Sequence, residues 1–142
     1  MDGEAEQLDD DRVSAIAFHI GVRMPQPTVL IVEDEPLIRM TVAEDLQVAG
    51  FRVLEAGNAD EALRMLETHS SIRAIFTDID MPGDLDGLKL AWIVRDRWPP
   101  IEIVITSGNR KIASNDMPER SLFFPKPYAH QPVINALTRL TT

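Results

Sequence analysis

The sequence contains no cysteine, which removes disulfides and thiolate metal centres from consideration and fits a cytoplasmic setting. No apolar run approaches the roughly 20 residues that cross a bilayer, and the acid-rich N-terminus lacks the layout of a signal peptide. Positive charge is scarce: 14 Lys and Arg stand against 23 Asp and Glu, a net charge of −9. That balance opposes direct DNA binding, whose affinity comes largely from neutralising phosphates. His19, His69 and His130 are scattered without metal-ligand or triad spacing, and there is no glycine-rich phosphate loop. Membrane insertion, thiol chemistry and nucleotide binding through such a loop are therefore set aside.

What remains is one domain's length with 44% hydrophobic residues, mostly aliphatic. Residues 1–27 read as an extension. Val13, Ile16, Ala17 and Ile20 recur at helical spacing behind the acids Asp9–Asp11, before Gly21 and Pro25-Gln26-Pro27 interrupt the pattern. A short appended helix and a disordered leader are equally compatible with it. Residues 28–142 alternate strands with helices. The strands predicted are Thr28–Val32, Phe51–Glu55, Ile72–Thr77, Ile101–Thr106 and Ser121–Phe124. The first helix opens at Pro36 and turns Leu37, Ile38, Thr41, Val42 and Leu46–Val48 inward, stopping at Gly50. The second, capped by Asn58 with Glu61, buries Ala59, Ala62, Leu63 and Leu66. The third runs Leu88–Arg97 with Leu88, Ala91 and Trp92 on one side. The fourth, over Lys111–Met117, is weak, and a last helix from Pro132 packs Val133, Ile134, Leu137 and Leu140. This alternation implies an α/β fold with a doubly wound, five-stranded parallel sheet and helices on both faces.

Chemistry gathers at one rim of such a sheet. The run Ala74-Ile75-Phe76-Thr77-Asp78 ends on a carboxylate before Ile79-Asp80-Met81-Pro82-Gly83, and Glu33-Asp34 follows the first strand. Side by side, these strands bring four carboxylates together. Two carboxylates about 4 Å apart repel by roughly 4 kcal/mol at an effective dielectric of about 20, so the cluster takes up protons or recruits a cation. Oxygen ligands favour Mg²⁺, or Mn²⁺ in its place. Thr106-Ser107-Gly108 after the fourth strand and Lys126-Pro127 after the fifth bring a hydroxyl and an ammonium to the same rim.

In this order, these residues resemble the receiver domain of bacterial two-component response regulators, over about Thr28 to Leu140. The resemblance implies strand order 2-1-3-4-5, the flavodoxin-like arrangement. It makes Asp78, three residues before Met81-Pro82, the phosphoacceptor. Glu33 and Asp34 become the metal-binding pair, with Asp78 as a further ligand and Asp80 contributing its backbone carbonyl. Lys126 is implied to hold a phosphoryl oxygen, aimed by a cis bond to Pro127. The family hydroxyl falls on Ser107, followed by the small Gly108, with Thr106 as the alternative. Phe123 occupies the place of the family's rotating aromatic, or is plain core. The loop Pro82–Gly87 is about one residue longer than usual, and the stretch from Ser107 to Lys126 is shorter.

The implied function is a stand-alone, non-enzymatic receiver that takes a phosphoryl group from a histidine kinase or a histidine phosphotransfer protein. It would signal through a downstream protein, self-dimerisation or onward phosphotransfer. Two rivals stand beside it: a haloacid-dehalogenase-type phosphatase using Asp78 and Asp80, and a receiver-like binding module that needs no phosphorylation.

Overall fold

A strand followed by a crossover returns parallel to itself, and four such returns build the five-stranded sheet seen here. The computed structural model describes residues 26–108 and 112–142; the predicted stripe of the extension lies outside them. Strands β1 (Thr28–Val32), β2 (Arg52–Ala56), β3 (Ile72–Asp78), β4 (Glu102–Ser107) and β5 (Ser121–Pro125) pair in parallel in the expected order β2-β1-β3-β4-β5. Helices α1 (Pro36–Val48), α2 (Ala59–Thr68), α3 (Gly87–Arg97) and α4 (His130–Thr141) connect the strands or close the chain.

Because side chains alternate along a strand, the sheet makes two cores. On one face Val29, Ile31, Phe76 and Val104 pack with Val42, Leu46, Val133 and Leu137 of α1 and α4. On the other, Leu30, Ile75, Ile103 and Ile105 pack with Ala62, Leu66, Leu90 and Val94 of α2 and α3. Each of the buried Val, Leu, Ile and Phe side chains among them contributes roughly 1.5–3 kcal/mol through removal from water. Continuous burial of β1 on both faces explains its unbroken apolar sequence.

Two helices match the predicted phase only in part: Val42 and Leu46 of α1 and Leu88 and Ala91 of α3 pack as expected, and their neighbours differ. In α1 the buried residues are Val42, Ala43 and Leu46, while Leu37 and Val48 are 79% and 85% exposed and Thr41 lies on the surface. The small Ala43 permits close approach to the sheet, and Arg39 lies on the inward side. Its guanidinium donates to Glu33 O at 2.8 Å and to Glu55 Oε1 at 3.2 Å. In α3, Gly87, Leu90, Ala91 and Val94 face inward. Trp92 is about half exposed, and its indole donates to Asp116 O at 2.9 Å. The predicted weak fourth helix contracts to a single 3₁₀ turn, Ser114–Asp116. Helix α3 anchors the segments on either side of β4: Arg95 donates to the carbonyls of Glu119, Pro99 and Ile101 at 2.9, 2.7 and 3.0 Å. The last helix begins at His130, ahead of Pro132. Strands β3, β4 and β5 each run one residue beyond the predicted end, so that Asp78 and Ser107 are the final residues of theirs.

Candidate functional site

The C-terminal ends of β1, β3, β4 and β5 meet at one rim. Backbone pairing there sets Asp78 beside Thr106 and Ser107 beside Pro125. Asp78 is 2% exposed and Glu33 5%, both at the edge of the α1–α4 core. Carboxylate oxygens of Glu33, Asp34 and Asp78 lie within 4.8 Å of one another. The two Asp78 oxygens have different partners. Oδ1 accepts the Asp80 amide at 2.9 Å, and Oδ2 accepts the Lys126 ammonium at 2.6 Å. The same ammonium stands 3.8 Å from Glu33 Oε1. The Lys126–Pro127 peptide bond is cis.

Charge at the rim is only partly compensated. Burial pushes the Glu33 carboxyl up to about 7; the Glu35 amide opposes this, as does the more distant Lys126, while neighbouring Asp34 and Asp78 reinforce it. Lys126 moves the other way: burial pulls its pKa down, but the Asp78 hydrogen bond and the charges of Asp78 and Glu33 outweigh that and raise it. A lysine among carboxylates is thus held firmly charged. Hard anionic oxygens at close quarters, one of them costly to ionise unaided, are the donor set that suits Mg²⁺ or Mn²⁺.

The two candidate hydroxyls are committed differently. Thr106 Oγ1 donates to Phe124 O at 2.6 Å across the β4–β5 pair. It also borders a small cavity with Glu33, Asp78 and Tyr128. Ser107 Oγ donates to Asp80 Oδ2 at 2.9 Å, and the Gly108 amide donates to the same oxygen at 3.1 Å. The Asp80 side chain, for which the receiver resemblance implied only a backbone role, therefore links β4 to the loop after β3. Phe123 is partly buried against the α2–α3 core.

Three further residues shape the site without a signal in the sequence patterns. Arg39 caps the Glu33 carbonyl. Tyr128 closes the cavity beneath Glu33 and Asp78, where burial and the Glu33 charge push its phenol up to about 12. Gly87 opens α3 directly against the strand end: a Cβ there would fall 1.8 Å from Asp78 O. The Asp86 cap, which accepts the Lys89 amide at 2.9 Å, was the available clue to that helix start.

Comparison with known proteins assigns the class to which this geometry belongs. The family profile of the response regulator receiver domain matches residues 29–136, and the chain belongs to that family. A putative NtrX-like response regulator of Rickettsia conorii is 33% identical over 82% of this chain, which corresponds to 25% of its own length. The sensor kinase CckA of Brucella abortus is 34% identical over 72% of this chain and 11% of its own. The chain thus spans a quarter or less of these two relatives. The crystal structure of a response regulator receiver protein from Sinorhizobium medicae superimposes with a TM-score of 0.74 at 26% identity, covering 84% of this chain and 97% of that one.

Proposed function

We propose that Asp78 is the phosphoacceptor of this receiver and that its donor is a phosphohistidine on a histidine kinase or a histidine phosphotransfer protein. The observation that carries this is the buried Asp78 carboxylate, bracketed by the Asp80 amide and the Lys126 ammonium beside two further carboxylates. An Asp78 oxygen attacks phosphorus, the phosphorus–nitrogen bond breaks, the imidazole leaves with its electron pair, and an aspartyl phosphate remains. Lys126 is within reach to hold a phosphoryl oxygen as a point charge. Glu33, Asp34 and Asp78, with the Asp80 carbonyl, would hold Mg²⁺ or Mn²⁺. Such an ion neutralises charge between an anionic nucleophile and an anionic donor.

Ser107 fits the hydroxyl role better than Thr106, because its partner is a side-chain oxygen of the site while Thr106 is tied to a backbone carbonyl. Transfer of its hydrogen bond to the phosphoryl group would draw the start of the β4–β5 connection inward. Phe123, packed under that connection, is the candidate for a coupled aromatic. A protein donor is favoured by the surface beside the rim. Leu37 and Met40 of α1 are 79% and 58% exposed, an apolar patch suited to a helical partner. Downstream, a protein partner or a second copy would read the β4–β5 face. The acidic charge of the chain argues against direct DNA contact, and among the described residues no helix is long and apolar enough to cross a membrane. We place the protein's action in the cytoplasm, where phosphohistidine donors act.

The phosphatase reading loses its footing, because the chain is a receiver and because Asp80 Oδ2 is engaged by Ser107 and Gly108. The deciding experiment weighs intact wild type and Asp78→Asn by mass spectrometry after incubation with a small acyl-phosphate donor, with and without Mg²⁺. A phosphoryl adduct confined to wild type and dependent on Mg²⁺ is the expected result. Equal labelling of Asp78→Asn would sink the assignment, and absence of any adduct on folded, metal-loaded protein would favour a phosphorylation-independent binding module.

A further inference from the structure

At the end of the sheet remote from the carboxylates, the end of α2, the α2–β3 turn, the first residues of β3 and the α3–β4 connection enclose a cleft of about 340 Å³. Its floor is apolar. Leu66, Ile72 and Ile101 line it and are 3%, 4% and 7% exposed, with Trp98 alongside. Its edge is cationic on balance. Arg73 lines it, Arg97 lies over the Trp98 ring at 4.5 Å, and the one acid among them, Glu67, is shared with Arg97 at 3.4 Å.

The N-terminal segment begins at this end of the molecule. Thr28 is in register with Ile72, one strand away, and Pro27 O accepts the Arg52 amide at 2.9 Å. Adjacent strands are about 4.8 Å apart, and the six residues between Ile20 and Pro27 reach about 20 Å when extended. The segment's pattern complements the cleft. Val13, Ile16, Ala17 and Ile20 recur at the spacing of one helical face, and the first twelve residues hold six acids against the single base Arg12. We propose that the chain's own N-terminal segment docks in this cleft, with the stripe on the floor and the acids toward Arg73 and Arg97. Docking would cover the accessible parts of Trp98 and Pro100 in the cleft and place opposite charges together at the edge.

The absence of cysteine makes the test direct. In the full chain, Ala17→Cys is paired either with Ser70→Cys, exposed at the cleft, or with Thr142→Cys, exposed at the same end on the other face. Thr141 O accepts from Arg73 at 3.4 Å, which places that control close to β3 as well. Under mild oxidation the Ser70 pair should close a disulfide within one chain about tenfold faster than the Thr142 pair, since docking raises the effective concentration of one site over an equally tethered one. Adding Ile16→Asn and Ile20→Asn should reduce that rate to the control's. Equal rates for the two pairs, bridges formed solely between two chains, or a Ser70 preference that survives the Asn substitutions would each overturn the proposal.

Discussion

Ser107 gives its hydroxyl hydrogen to Asp80 Oδ2 at 2.9 Å, so the hydroxyl proposed to bind phosphate is held by a neighbouring carboxylate. A phosphoryl group on Asp78 must compete with Asp80 for it. Removing the competitor by Asp80→Ala leaves the Asp80 amide and carbonyl in place and also removes a negative charge from the phosphate's surroundings. A hydrogen bond to a carboxylate is worth about 1.5–3 kcal/mol net, so the variant should bind a tetrahedral acyl-phosphate analogue such as beryllofluoride at least about tenfold more tightly in the presence of Mg²⁺. Titration followed by tryptophan fluorescence reads this, since Trp92 bonds to Asp116 in the β4–β5 connection. Unchanged or weaker binding would show that Asp80 does not restrain Ser107.

Lys126 and a divalent cation answer the same excess of negative charge. Without the ammonium, Asp78 and Glu33 remain buried beside Asp34 with less compensation. Lys126→Ala should therefore lower the stability of the metal-free protein, by about 1–3 kcal/mol given that the lysine side chain is 27% exposed. The same substitution should tighten Mg²⁺ binding, because a competing positive charge is gone. Urea unfolding with and without Mg²⁺ checks both parts: the deficit should shrink as metal is added. A deficit that is independent of metal would place the role of Lys126 in packing alone.

The legible part of this molecule was its alternation. Five apolar runs between helical stripes sufficed for a parallel sheet with Glu33, Asp34 and Asp78 at one rim, while the order of its strands came with the receiver resemblance. Helix phase was harder to read. In α1 Val42 and Leu46 face inward as expected, but Leu37 and Val48 are exposed and Ala43 takes an inward place beside them, because a small residue lets the helix settle on the sheet. In α3 Trp92 was grouped on one side with Leu88 and Ala91, which pack on the core, whereas Trp92 is half exposed and donates to a loop carbonyl. The engagement of the Asp80 side chain depends on a contact between residues 27 apart in sequence, which no local pattern encodes.

Glu33 makes the site sensitive to pH. Its carboxyl, ordinarily near 4.5, titrates at about 7 in the fold, mainly through burial. A folded pKa above the unfolded one means that the native state binds the proton more tightly. The Glu33 contribution to stability is therefore fully present below about 4.5 and is lost as pH rises through about 7. Metal binding has the opposite slope, since the cation displaces that proton. Mg²⁺ affinity should rise between about pH 6 and pH 8 and then level off, and Glu33→Gln should flatten that rise while stabilising the metal-free protein at the alkaline end. Calorimetric titration at several pH values measures it. An affinity for Mg²⁺ that is flat across this range in wild type would remove Glu33 from the metal site.

Gly87 tests whether the acceptor's backbone needs α3 as close as it stands. A Cβ at this position would lie 1.8 Å from Asp78 O, 2.7 Å from its carbonyl carbon and 2.9 Å from Thr77 Oγ1. Two of these atoms are backbone, so no side-chain rotation relieves the overlap, and either α3 or the end of β3 must move. Gly87→Ala gains slightly in helix propensity, but overpacking of this severity costs upward of about 2 kcal/mol. The substitution should lower the urea midpoint and slow acyl-phosphate labelling even at saturating Mg²⁺, because displacement of the Asp78 carbonyl also shifts the carboxylate away from the Asp80 amide and Lys126. Ala at the neighbouring Leu88, partly buried on the same helix, provides the comparison: it removes packing without touching Asp78. If both substitutions lower stability and only Gly87→Ala slows labelling, the approach of α3 sets the geometry of the acceptor; equal slowing in both would reduce Gly87 to a packing residue.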